Sequence, residues 1–356
     1  MPAQLEFVVV GQGLAGTALA WALLRRGRRV LVMDRERGGC SRLAAGLMTP
    51  ATGKRLAKSW RWDELYPTAV TFYRTVEADT GTRFFHQRPA VRLFADVSER
   101  DEFHRREENI LRGLVTREFP LRSKWFAAPL GGFEMPHAAR LDVPQYLDVS
   151  RTHFKACGAY HAADLEPREM ELTASGVRIP GFGVEARAVI FCRGFGASAD
   201  PWFGAVRFNA AKGEILTLRV PGLWEDRVVH RGVWLAPAGN EVFRAGATYT
   251  RDHLDTHPTA EGRAEIESKL RTFLTVPFEV LDHQAAVRPV IDAGFPVLGR
   301  HTRHPQLAYF NGLGSKGSLL APYFAEQLSR HLCDGTELEK GLDVSRFLIH
   351  SAPSSE

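Results

Sequence analysis

Hydrophobic positions fall into two patterns along this chain, and each predicts its own kind of element. Short unbroken apolar runs occur at Phe7–Val10, Val30–Met33, Ala188–Cys192 and Ala308–Phe310. Such runs are what strands buried on both faces require. Between them lie segments that read as helix: Leu14 to Arg26, Pro67 to Thr80, Ser98 to Leu114, Asp142 to Cys157, Glu261 to Phe273 and Leu319 to Cys333. Asp142 reads as an N-cap with Pro144 in the first turn, and Pro322 falls in the first turn of the last helix. The middle of the chain differs. Lys212 to Arg219, Val228 to Ala236 and Glu241 to Tyr249 alternate as antiparallel strands do, with turns at Pro221-Gly222 and Gly239-Asn240. Phe84 to Phe94 reads as strand, and Trp125 to Arg140, with two prolines and two glycines, as loop or short strand. The pattern predicts α/β ends around a β-rich middle.

The stretch from Leu5 to Asp34 carries the clearest chemistry. Its first apolar run enters Gly11-Gln12-Gly13-Leu14-Ala15-Gly16, a G-x-G-x-x-G set where strand turns into helix. Gly11 permits the tight turn, Gly13 lets a pyrophosphate approach the backbone, and Gly16 lets helix lie close on strand. The second strand ends on Asp34, 23 positions after Gly11, close to the spacing of about 20 expected of a ribose-binding carboxylate. The helix N-terminus offers free N–H groups and a positive dipole to phosphates. Asp34 disfavours a 2′-phosphate and therefore NADP. The fingerprint alone does not separate FAD from NAD, and a glycine turn in a βαβ unit can also bind nothing.

Composition narrows the class without fixing it. At 356 residues, one or two joined domains are expected. Apolar content of 44% and charged content of 24% are those of a globular protein, and no apolar run approaches a membrane span. The start runs straight into a strand without a basic leader, so a cytoplasmic protein is expected. Four scattered cysteines, Cys40, Cys157, Cys192 and Cys333, lack zinc spacing and read as reduced thiols. His86, His230 and the His301/His304 pair also lack metal spacing and read as surface or packing residues, so no metal is expected. A net charge of +5 suits an anionic substrate or nucleic acid but forms no basic block.

Other loops add candidate sites. Arg35 to Pro50 holds Ser41-Arg42 followed by Ala45, Gly46 and Met48. This is either a second loop around a phosphate-bearing ligand or a loop with an arginine salt bridge. Lys54 to Trp62 (KRLAKSWRW) is either a stacking surface for single-stranded nucleic acid or, the preferred reading, an amphipathic helix snorkelling its cations. Ala186 to Asp200 reads as strand followed by the turn Arg193-Gly194-Phe195-Gly196, a second crossing of the nucleotide unit. Ala308–Phe310 leads into Asn311-Gly312-Leu313-Gly314-Ser315-Lys316-Gly317-Ser318 and then helix, a second helix N-terminus aimed at something electron-rich. Ser351 to Glu356 reads as a flexible tail.

Taken together, these segments resemble the D-amino-acid-oxidase or glycine-oxidase superfamily of FAD flavoproteins (the DAO family). The match rests on Gly11–Gly16 with Asp34, Ser41-Arg42, Ala186–Gly196, Val287-Arg288-Pro289 through Gly299, and Gly312–Pro322, in that order. The resemblance implies a Rossmann-like FAD-binding domain, assembled from residues 1–83, 140–205 and 286–350, of the glutathione-reductase type. An antiparallel β-sheet substrate domain, residues 84–139 and 206–285, is inserted in it. It also implies FAD rather than NAD, because the last glycine loop is where such enzymes hold the flavin's pyrimidine end. No second nicotinamide fingerprint is present. Gly246–Thr250 (GATYT) and Gly312–Pro322 are similar to the oxidase domain of bacterial enzymes that modify the tRNA wobble uridine. VRPVIDAGFPVLG instead resembles glycine and sarcosine oxidases.

The chemistry so implied is hydride removal from the carbon beside an amine nitrogen. Arg288 is then expected to clamp a substrate carboxylate bidentately, the alternative being a structural salt bridge. Gly314 to Gly317 should turn N–H groups to the flavin C2 carbonyl, with Gly194, Ser315 and Ser318 also at the cofactor. Lys316 adds positive charge or touches substrate, or points to solvent. Tyr249 is a candidate substrate donor or a packing residue. A small amine or amino acid is the expected substrate and oxygen the expected acceptor. A tRNA side chain or a non-oxygen acceptor is the alternative.

Overall fold

The computed structural model describes residues 5–117, 119, 121 and 124–348; the tail expected at Ser351–Glu356 lies outside them. The opening strand, Leu5–Val10, is the middle of the molecule's largest sheet. It pairs in parallel with Val30–Asp34 on one side and with Val184–Phe191 on the other. Tyr160–Ala162 extends that sheet beyond Val30–Asp34 in parallel, and Leu307–Asn311 adds in parallel to Val184–Phe191. Gly176–Ile179, Glu171–Thr173 and Val297–Arg300 complete eight strands. Phe7, Val8, Val9 and Val10 are all buried, because helices cover one face and a second apolar cluster covers the other. The first helix, Leu14–Arg25, packs beside the closing helix, Gly317–Asp334. Arg26 clamps the two ends, donating to Asp334 at 3.0 Å and to Ser329 Oγ at 3.1 Å. The N-termini of both helices therefore open on the same side of the sheet.

A second sheet of seven strands comes from the middle of the chain, in the order Glu279–Arg288, Ala211–Arg219, Val242–Gly246, Val233–Gly239, Val228–Arg231, Ala90–Leu93 and Gly132–Met135. The three-stranded sheet of Leu47–Met48, Ala139–Leu141 and Phe85–Gln87 lies apart from both.

Several elements differ from the sequence pattern, each for a local reason. Lys54 to Trp62 is not a helix: Ala57–Lys58 pairs with Ala51–Thr52, and Ser59 ties the chain back by donating from N to Pro50 O and from Oγ to Thr49 O. Trp60 packs against Phe295 and stacks on Phe324. The helix begins at Trp62 and runs to Thr80, with Pro67 inside it. Phe84 to Phe94 splits at Arg88-Pro89, where proline offers no N–H, and its halves join different sheets. Val228 to Ala236 is a hairpin turning at Gly232, φ +70°. Ser98 to Leu114 is helical only over Val97–Arg106, N-capped by Asp96, and then tightens into turns that bury Leu111. Trp125 to Arg140 supplies two short strands, Gly132–Met135 and Ala139–Leu141. The closing helix starts at Gly317, so Pro322 sits in its second turn. No helix among the described residues is long and apolar enough to cross a membrane.

Candidate active site

A cleft of about 930 Å³ opens at the C-terminal edge of the parallel strands and is roofed by the seven-stranded sheet. Its floor is the first glycine turn. Gly11 has φ +103°, and a Cβ there would sit 2.6 Å from the Cys192 carbonyl oxygen. A Cβ on Gly16 would sit 1.9 Å from the Gly11 carbonyl oxygen, so this glycine lets the first helix touch the strand and does not itself line the cleft. Gly13 faces Ser41, whose Oγ would be 3.0 Å from a Cβ at that position and which accepts from Leu14 N at 3.1 Å. Asp34 is held from both sides: Gln12 N donates to Oδ2 at 2.7 Å and Glu36 N to Oδ1 at 2.8 Å.

The Arg35–Thr49 loop forms one wall. Arg35, Ser41, Arg42, Ala45, Gly46 and Met48 all line the cleft with Leu14 and Ala15. Arg42 lines the cleft and also pairs with Asp148, the salt bridge of the second reading. Cys40 and Cys192 line it too, and burial pushes both thiols up, Cys40 to about 11. Neither is a thiolate at neutral pH.

The opposite wall is the last glycine loop. Gly194, Gly314, Ser315, Lys316, Gly317 and Ser318 line the cleft, whereas Gly312 does not. Gly312 adopts φ +82° against Ile291, whose Cδ1 a Cβ would meet at 2.4 Å. Asn311 joins two glycine segments: its Nδ2 donates to Gly194 O at 2.8 Å while its Oδ1 accepts from Gly312 N. Lys316 forms the N-cap position of the closing helix, and burial lowers its pKa.

Arg288 ends the strand Glu279–Arg288 and points into the cleft. Its guanidinium donates only to the carbonyls of Thr248, at 3.2 Å, and Lys212, at 3.4 Å. The salt-bridge alternative has no support, because Arg288 pairs with no carboxylate among the described residues. Gly213 makes room for it: a Cβ there would lie 2.0 Å from Nη2. Burial lowers the Arg288 pKa. Tyr249 is 52% exposed, outside the lining, with the Arg288 and Arg251 guanidinium carbons 5.3 and 5.6 Å from its ring.

The sequence reading missed four contributors. Arg151 donates to Gln12 Oε1 at 2.8 Å and lies 4.0 Å from Asp34. Gln12 in turn donates to Leu147 O at 2.7 Å, so the first turn is tied to the helix Val143–Ala156. His230 and Trp234 line the cleft from the seven-stranded sheet. Burial and Arg92 push the His230 pKa down to about 3, so it is neutral. Gln12 lay within the recognised motif; the others carried only the period of their strand or helix.

The sequence profile of the FAD dependent oxidoreductases named DAO matches residues 6–331. The chain belongs to that family. Among curated relatives, the oxidoreductase YurR of Bacillus subtilis is 25% identical, over 96% of this chain and 98% of its own. The tRNA 5-methylaminomethyl-2-thiouridine biosynthesis bifunctional protein MnmC of Aromatoleum aromaticum is 26% identical over 97% of this chain, which spans 60% of that protein's length. Among solved structures, glycine oxidase from Geobacillus kaustophilus superposes with TM-score 0.80 at 20% identity, covering 98% of this chain and 99% of that one. Iminodiacetate oxidase from Chelativorans sp. BNC1 gives 0.76 at 22%, covering 94% and 96%. The family is FAD-dependent, and the residues present fit FAD. Two helix N-termini, the Gly13–Ser41 cradle and the anchored Asp34 carboxylate lie on one continuous surface, the donor and acceptor set that a dinucleotide's phosphates and ribose require.

Proposed function

We propose that the protein oxidises the carbon–nitrogen bond of a small carboxylated amine or amino acid, with oxygen as electron acceptor. The observation that carries this reading is Arg288, a cation in the cleft that has only backbone partners. A guanidinium so placed gains most from a ligand carboxylate, which it can grip through two parallel hydrogen bonds. In this reading the Rossmann-like part comprises residues 1–83, 140–205 and 286–350, and the substrate part residues 84–139 and 206–285. The eight-stranded sheet takes all its strands from the former, and the seven-stranded sheet takes all but the end of Glu279–Arg288 from the latter.

When bound, FAD supplies the hydride acceptor. The rest is positioning and charge. Arg288 fixes the substrate carboxylate, which restricts the rotation of the adjacent carbon and sets its approach. The backbone N–H groups of Gly314–Gly317, at a helix N-terminus, favour negative charge on whatever lies against them, and Lys316 adds a full positive charge beside them. Tyr249, whose ring lies beside the Arg288 guanidinium, is the candidate hydrogen-bond donor to the substrate. His230 is neutral and can hold a hydrogen bond without charging the site. The substrate amine reacts as the free base, so no residue is assigned as general base.

Oxidation of the wobble-uridine side chain of tRNA is the second reading. Its support is the likeness to MnmC over 97% of this chain. Steady-state peroxide production separates the readings. An amino acid and its decarboxylated amine should differ in KM by about a hundredfold, the worth of one charge-assisted bidentate contact at about 3 kcal/mol. Equal KM values would remove Arg288 from its proposed role, and peroxide from tRNA alone would move the function to RNA.

A further inference from the structure

A second cavity, of about 750 Å³, lies outside the cleft, between the three-stranded sheet and the Pro237–Phe243 end of the seven-stranded sheet. Leu47 and Thr49 line both cavities, so one thin wall divides them. This second cavity contains an arginine without a bonding partner. Arg140, in the strand Ala139–Leu141, lines it, and its side chain makes no hydrogen bond or ion pair among the described residues; its buried Nε has no partner. Four carboxylates line the cavity with it and none bonds to it; Glu241 accepts from Gly222 N. Asp142 caps the helix Val143–Ala156 by accepting from Gln145 N, Asp226 pairs with Arg88, and Glu225 pairs with Arg227. Arg244, close by but outside the lining, bonds to the carbonyls of Leu43 and Ala44. Burial lowers the pKa of both arginines against the opposing charge of Asp142, and neither has a hydrogen bond or ion pair to a carboxylate among the described residues.

Apolar faces make up much of the remaining lining, beside the charged residues at its edge strands and turns. Pro89, Pro237 and Val242 form faces, and Trp224 stands at the rim with 74% of its surface exposed. Trp224 stacks on no ring among the described residues, and its exposed face suits a planar ring.

We propose that this cavity is a binding site, separate from the substrate cleft, for an aryl carboxylate, with the carboxylate on Arg140 and the ring against Trp224. Its volume is that of an ordinary small-molecule pocket, and an arginine with free donors beside apolar faces is an arrangement that orients such a ligand.

The test is calorimetric titration of the FAD-loaded protein with naphthalene-1-carboxylate, followed in parallel by Trp fluorescence. One site is expected, weakened about tenfold or more in Arg140→Gln and in Trp224→Ala, and about as much when neutral naphthalene-1-methanol replaces the acid. Binding in Arg288→Ala should match the parent. If Arg140→Gln does not fold, the exposed Trp224→Ala decides alone. Absence of binding at millimolar concentration, binding indifferent to Trp224, or binding lost in Arg288→Ala would each overturn the assignment, the last by placing the ligand in the cleft.

Discussion

At the scale of single residues, the site is governed by what space glycine leaves and which charges go unmatched. Gly213 is the sharpest case, because a methyl group there would collide with the Arg288 guanidinium at 2.0 Å. Gly213→Ala should therefore raise KM for a carboxylated substrate much as Arg288→Ala does, roughly tenfold to a hundredfold, while FAD content by absorbance stays unchanged. Arg288→Lys should recover little of the loss, since an ammonium cannot reproduce the two-pronged grip. His230 gives a different kind of prediction. Its pKa is depressed to about 3 in the folded protein, against about 6.5 in an unfolded chain. The unfolded state thus binds an extra proton between those values, so this contribution to stability is present above pH 6.5 and is lost as pH falls toward 3. Urea midpoints measured at pH 7 and pH 4.5 should drop less in His230→Gln than in the parent; an equal drop would mean that His230 does not titrate as described.

At the scale of elements, the first βαβ unit holds its shape through a partner distant in sequence. Gln12 is gripped by Leu147 and Arg151 of the helix Val143–Ala156, whose N-cap is Asp142. Asp142→Ala should cost about 1 kcal/mol of stability, read as a lower urea midpoint. Arg151→Ala should weaken FAD binding about tenfold by loosening the turn whose Gln12 N–H anchors Asp34, measured by titrating the apoprotein. The sequence showed the glycine turn, the second strand and Asp34 because local chemistry alone dictates them: positive φ, close approach and a short apolar run. It also showed the Asp142 cap, since that signal spans four residues. Arg151 stayed hidden because its meaning depends on a contact 139 positions away. Lys54 to Trp62 misled for the opposite reason. Its helical spacing is genuine, but Ser59 folds the segment into a hairpin through two bonds to the chain ten residues earlier. The break at Arg88-Pro89 was printed in the proline and overridden by the strong strand pattern around it.

At the scale of the whole molecule, two sheets meet across one cleft, with the glycine loops below and Gly213, Ile215 and Trp234 above. A cofactor spanning such a cleft binds the folded state alone, so removing FAD should lower the melting temperature and adding it back should restore it in proportion to the logarithm of its concentration. The gain is roughly 2.7 kcal/mol at a hundredfold excess over Kd; a melting temperature independent of FAD would contradict the cleft assignment. The ordered set of glycine segments made the family legible from sequence. Arg288 could be singled out there too, but not the absence of a carboxylate beside it, which only the folded chain reveals. The central claim is that a carboxylated amine is oxidised in this cleft. Its most direct test is anaerobic flavin absorbance near ~450 nm as glycine, sarcosine, iminodiacetate, D-amino acids and unfractionated tRNA are added in turn. Bleaching by one of the small carboxylated amines, slowed in Arg288→Ala, is the predicted result. A band that none of them bleaches, while tRNA does, would contradict it.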